Sequence, residues 1–235
     1  MMVFLKFLLA HFLGDFLFQT DKLVKDKEQK KIKSPYLYAH IGIHVLCLFL
    51  VFWFDLNYIG GILFVMLSHF IIDVLKLYLQ TDKNKRIVFF IDQLLHLIML
   101  VLATFLYQDV SIDLNSKQLE KLLFLGICVL FVTYVSSIII RVIIQQWNPD
   151  KDNAEQSLAE AGKYIGFLER LLVFVFIVIG RWEGVGFLLT AKSVFRYGDL
   201  SESKNRKLTE YVLIGTLLSF SLAIIAGLVY SYYGR

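Results

Sequence analysis

Long apolar runs fix the solvent in which this chain can fold. Eight of them follow one another at about Val3–Gln19, Tyr38–Asp55, Ile59–Leu79, Ile87–Tyr107, Leu119–Ile144, Tyr164–Arg181, Gly184–Tyr197 and Glu210–Tyr232. A helix needs roughly 20 apolar residues to span the hydrocarbon core of a bilayer, and several of these runs reach that length. The chain has 235 residues, is 57% hydrophobic and 15% aromatic, and contains only two prolines. The expected fold is all-α, a polytopic integral membrane helix bundle with about seven to eight transmembrane helices. The first run is not read as a cleaved signal: Lys6 and Asp15 interrupt it, and no small-residue cleavage site follows. The seventh is short enough to be a tilted or re-entrant piece.

Basic residues in the short connections set the expected orientation. The stretch Asp21–Ser34 holds Lys22, Lys25, Lys27, Lys30, Lys31 and Lys33, and further bases cluster in Thr81–Arg86 and Glu202–Lys207. Asp55–Tyr58 has none, and Gln108–Lys117 has a single lysine. Rich and poor connections alternate, as eight crossings require. The N-terminus is therefore expected outside and the lysine-rich connections in the cytoplasm. Four regions are expected: 1–107, a four-span bundle; 108–147, an outer loop and fifth span; 148–163, a cytoplasmic connection; and 164–235, a three-helix extension.

Ionisable residues interrupt the first four runs in pairs. These are His11 and Asp15, His40 and His44, His69 and Asp73, and Asp92 and His96. All the histidines of the chain are among them. A spacing of four puts both members of a pair on one helical face, one turn apart. At roughly 1.5 Å per residue, most of the pairs come to similar depths below the lysine-rich ends, although alternate helices run in opposite directions. Ionisable groups at such depth are costly and usually face the bundle interior. A lone histidine there would most simply be a satisfied hydrogen-bonding residue, and two such pairs could be interhelical glue. Four pairs at matching levels point instead to a metal site built among helices. Imidazole with carboxylate suits a divalent transition metal, zinc first, with iron or manganese as alternatives, bound as one or two ions. A metal-free proton relay would use the same groups.

Asp15, Asp73 and Asp92 are candidate catalytic bases wherever they do not ligate metal. Lys76 is a candidate anion-binding or catalytic group, or a lysine that reaches for the interface. Gln19 and Gln93 lie beside the pairs and are candidate substrate- or headgroup-binding residues. Farther along, Glu169, Arg170, Lys192 and Arg196 form a second polar set that would serve either as intramembrane ion pairs or as a headgroup pocket. The two cysteines lie within apolar runs, which argues against a disulfide framework or a thiolate site. The net charge of +4 is mild, no glycine-rich phosphate loop is present, and no nucleic-acid partner is expected.

The motifs HFLGDFLFQ, AHIGIH, SHFIIDVLK and FFIDQLLH, in this order from Phe4 to Leu106, resemble an uncharacterised bacterial membrane-protein family, domain of unknown function 3307. More loosely, the paired motifs are similar to membrane-bound metal-dependent hydrolases. The stretches IGFLER, AKSVFR and EYVLIGTLLS look like an extension carried by some members. The resemblance implies where the site lies but supplies no activity. Three functions remain open: a metal-dependent hydrolase of a lipid or other membrane-delivered, phosphate-containing substrate; a divalent-metal or proton-coupled transporter; and a non-catalytic assembly partner. Membrane lipids are the expected surroundings, and a homo-oligomer is compatible with all three.

Overall fold

The computed structural model describes residues 1–107, 116–147, 156–200 and 206–233, with side chains omitted at 116, 156–161, 195–200 and 206–208. Among the described residues the chain is all helical. Two compact units divide it, Met1–Ile127 and Cys128–Arg235.

In the first unit, α1 (Met2–Phe12), α3 (Pro35–Val51), α4 (Ile59–Leu79) and α5 (Lys85–Phe105) pack side by side. Their patterning is inside-out for a water-soluble bundle. On α4, Leu63, Leu67, Ile71 and Leu75 are exposed, whereas His69 and Asp73 are buried. An exterior this apolar suits lipid and would aggregate in water. The bundle interior has two levels. At one end Phe7, Ala10, Cys47, Leu48, Phe52, Ile62, Val65, Leu100 and Ala103 form an apolar core. At the other end the interior positions carry histidine and aspartate.

Among the described residues, four helices are long and apolar enough to cross a membrane: Leu56–Leu79, Lys85–Phe105, Lys117–Trp147 and Thr209–Tyr233. Counting Met2–Leu17 and Asp21–Lys33 as one broken span adds a fifth. The helices α8 (Gln156–Val178) and α9 (Trp182–Leu200) accompany these. So α8 begins inside the stretch expected to be a polar connection, because SLAEAGKY is a good helix-forming sequence.

The lysine-rich stretch also differs from its expected form. It is helical, α2 (Asp21–Lys30) followed by a 3₁₀ turn at Lys31–Lys33, and it lies at 85° to Met2–Leu17. The spacing of Leu23, Val24, Lys27 and Glu28 gives α2 one inward face, and all four are at least partly buried. Lys31 closes the helix with a positive φ of 53°, and its ammonium donates to the Leu77 carbonyl at 2.5 Å. Glu28 accepts from Gln80 at 2.8 Å and pairs with Lys85 at 2.6 Å. Thus α2 is strapped across the polar end of the bundle. Ser34 donates to Asp26 at 2.6 Å, and Pro35, whose missing N–H is no loss at a first helical position, starts α3.

In the second unit, α10 (Arg206–Tyr233) packs along α8 and α7 (Ser136–Ile144). A Cβ at Gly227 would sit 2.7 Å from Ile177, so the α8–α10 approach depends on glycine there. Gly180, at φ 73°, ends α8 in a left-handed turn in which Arg181 N–H donates to the Phe176 carbonyl at 2.7 Å.

Candidate metal centre

Each paired motif delivers both of its side chains into the polar end of the first unit. His11, Asp15, His40, His44, His69, Asp73, Asp92 and His96 are all buried. A π-turn at Leu13–Leu17 follows α1, with Phe18 N–H donating to the Leu13 carbonyl at 2.9 Å. Such turns insert one residue into a helix and frequently lie at functional sites. This one carries Gly14 and Asp15. Gly14 lets α1 approach α3 closely, since a Cβ on it would lie 2.3 Å from two atoms of the His44 ring.

Asp15 is the hub. Its Oδ1 lies 2.9 Å from His44 Nε2, 3.1 Å from His40 Nε2 and 3.5 Å from His69 Nε2. His40 Nε2 and His69 Nε2 are themselves 3.2 Å apart. Asp15 Oδ2 is 3.7 Å from His11 Nδ1 and accepts from Gln93 at 3.4 Å. Gln19 Nε2 lies 3.2 Å from His40 Nε2. The His11 ring stacks on His96 with centroids 5.2 Å apart.

Asp73 and Asp92 are paired differently. Lys27 of α2 donates to Asp73 Oδ2 at 3.1 Å, and His40 Nε2 lies 3.5 Å from the same oxygen. Lys76 donates to Asp92 Oδ2 at 2.6 Å, and Gln93 also donates there at 3.1 Å. His96 Nδ1 donates to the Asp92 carbonyl at 2.9 Å, which leaves its Nε2 as a lone pair. Three buried atoms have no hydrogen-bond partner within this cluster: His11 Nε2, His96 Nε2 and Asp92 Oδ1. Buried polar atoms are normally satisfied, so orphaned donors and acceptors in one place are unusual.

Among the described residues, three sets of side chains offer ligand atoms within 4.8 Å of one another: His11, Asp15, His44 and His69; His40, His69 and Asp73; and Asp73, Asp92 and His96. His69 and Asp73 are each shared between two sets. The donor types are those that transition metals prefer.

Lys27 is the site residue that sequence reasoning missed. It counted there only as orienting charge, yet it is buried and ion-paired inside the cluster. Its signal was the helical spacing from Leu23 and Val24.

Residues 3–125 match the family described as "Protein of unknown function (DUF3307)". The chain belongs to this family. No curated protein and no solved structure matches the chain. The DUF3307 region contains the whole His/Asp cluster together with α2.

The second polar set lies beyond that region. Lys192 donates to Glu169 at 2.6 Å. Arg170 is buried; it donates to the carbonyls of Val132 and Thr133 and to the hydroxyls of Ser137 and Ser219. A second π-turn, Phe131–Val135, contributes those carbonyls. The side chain of Arg196 lies outside the described residues.

Proposed function

We propose that the chain is a multi-pass protein of the bacterial inner membrane whose His/Asp cluster binds a divalent transition metal and hydrolyses a lipid or other membrane-delivered, phosphate-containing substrate. The observation that carries this reading is the ring of three imidazole nitrogens around Asp15 Oδ1, next to orphaned ligand atoms on His11, His96 and Asp92. Zinc holds nitrogen and oxygen ligands at about 2.0–2.1 Å, so the edges of its tetrahedron are about 3.3 Å. Asp15 Oδ1, His40 Nε2 and His69 Nε2 make a triangle with edges of 3.1, 3.5 and 3.2 Å. Those edges are close to the edges of a zinc tetrahedron, which supports the reading.

A divalent ion at such a centre lowers the pKa of bound water toward neutrality and polarises a phosphoryl oxygen. Asp73 and Asp92, whichever is free of metal, would accept the proton of the attacking water. Lys76 and Lys27 would neutralise phosphate charge. The site lies at the lysine-rich end of the bundle, where α2 and the α4–α5 connection meet. With that end in the cytoplasm, the substrate enters from the inner leaflet. Seven to eight spans follow if α1, α3, α8 and α9 cross beside the four helices long and apolar enough to do so. α3, with 17 residues, is at the lower limit for crossing.

The test has two stages. Chain purified gently in detergent is expected to carry zinc, iron or manganese in stoichiometric amount, and a His69→Ala/His96→Ala variant to lose it. Equal, negligible metal in both defeats the proposal. Loaded chain in proteoliposomes is then expected to release phosphate from a lipid phosphate in a metal-dependent way. One observation favours a carrier as the second reading: the 85° break between Met2–Leu17 and Asp21–Lys33, since discontinuous helices line many transport sites. Metal uptake abolished by Asp73→Asn, with no lipid-phosphate turnover, would establish that alternative.

A further inference from the structure

The cluster contains two kinds of carboxylate. Among the described residues, the ion-pair partners of Asp15 are all imidazoles. Asp73 and Asp92 each pair with a lysine, Lys27 at 3.1 Å and Lys76 at 2.6 Å. Asp73, Asp92 and His96 nevertheless form a ligand set of their own. His96 Nε2 and Asp92 Oδ1 are buried in it without a hydrogen-bond partner, Asp92 Oδ1 lying 3.7 Å from His96 Nδ1. That set has the ligands of a metal subsite, yet two ammonium groups hold its outer oxygens.

Resting on the metal-centre reading above, we infer that Lys27 and Lys76 stand in for a second cation, so that the centre takes one transition-metal ion per chain, at Asp15, His40 and His69, and the Asp73/Asp92/His96 subsite is closed by lysine. Charge makes the case. Three carboxylates facing two ammoniums, with the histidines neutral, leave one net negative charge. One divalent ion turns that into one net positive charge. A second ion would bring the buried cluster to three positive charges, against strong repulsion at low dielectric. The lysines are also not incidental. Lys27 is buried and is delivered by a helix that Lys31 and Glu28 fasten to the ends of α4 and α5. Lys76 sits three residues after Asp73 and reaches across to α5.

The experiment is cobalt binding to the full-length chain in detergent after chelator stripping, with bound metal counted by equilibrium dialysis and coordination followed by visible absorption. The native chain is expected to bind one ion and to show no second site at millimolar cobalt. Lys27→Met, and more strongly Lys27→Met/Lys76→Met, are expected to gain a second ion, bound about tenfold or more tightly than any further binding to the native chain. Two comparable ions on the native chain overturn the inference and leave the metal reading intact; this measurement needs no variant. Folded, helical variants that still bind one ion also overturn it. No cobalt on the native chain would instead defeat the metal reading itself.

Discussion

Gly14 is the residue where the cluster least tolerates added volume. A methyl group there would lie 2.3 Å from His44 Cε1 and Nε2, so the ring would have to leave Asp15. Gly14→Ala is expected to lower metal content or affinity by about tenfold or more, the usual range when ligand orientation is disturbed. Gly42→Ala, whose Cβ meets nothing within 4 Å, is the control and should leave it unchanged. Equal metal content in the two variants would refute the role given to Gly14. At the opposite end of the bundle, the Gly61 N–H donates to the Tyr107 hydroxyl at 2.6 Å. This bond satisfies one of the N-terminal amides that a helix leaves unpaired. Tyr107→Phe removes the acceptor and should destabilise the bundle by about 1 kcal/mol, read as a lower midpoint in denaturing-detergent titration.

The strap α2 and the π-turn at Phe131–Val135 are held by different chemistry. The Lys30 ammonium and the Ser34 hydroxyl both donate to Asp26 and hold its carboxyl below the usual aspartate value. Burial pushes the Glu28 carboxyl up, but hydrogen bonds from Lys85 and Gln80 outweigh it, and the net direction is down. For groups with depressed folded-state values, the stabilisation is complete above the unfolded carboxylate range of about pH 4 and is lost as pH falls through the folded values. Docking of α2 should therefore stay constant between about pH 5 and 8 and loosen only below about pH 4. An environment-sensitive fluorophore on Lys22→Cys reports this selectively, because Cys47 and Cys128 are both buried. Release of α2 near neutrality would show that other groups hold it. The π-turn presents carbonyls that Arg170 satisfies. Arg170→Met should lower stability by about 1–3 kcal/mol through unpaired buried acceptors. Metal content per folded molecule should remain unchanged, as the His/Asp cluster lies entirely within Met1–Ile127.

For the whole molecule the decisive question is which way the bundle faces. Exposed Lys22 lies on the strap over the polar end. With that end cytoplasmic, a membrane-impermeant maleimide should label Lys22→Cys in inverted vesicles and not in intact spheroplasts. Labelling from the outside would reverse the orientation and move substrate entry to the outer leaflet.

Much of the polar site was legible because helical periodicity is local. His11/Asp15, His40/His44, His69/Asp73 and Asp92/His96 each share a face through their spacing alone, and α4 runs over Ile59–Leu79 as its apolar run predicts. Lys27 was not legible in this way. Its partner Asp73 is 46 residues away, and the contact exists because the chain turns through 85° after the first helix. The same holds for Arg170: its polar neighbours suggest ion pairs, but its partners are two serine hydroxyls and carbonyls of a π-turn 37 and 38 residues earlier. By itself, then, the sequence determined an all-helical chain with an apolar exterior and four inward-facing polar pairs, since both follow from side-chain chemistry repeated at helical spacing. Tertiary structure alone decided that Asp15 is the hub, that Lys27 and Lys76 hold the other two carboxylates, and that Arg170 is spent on backbone carbonyls and serine hydroxyls. Those outcomes depend on bends, inserted turns and the close approach of helices, which no local pattern of residues encodes.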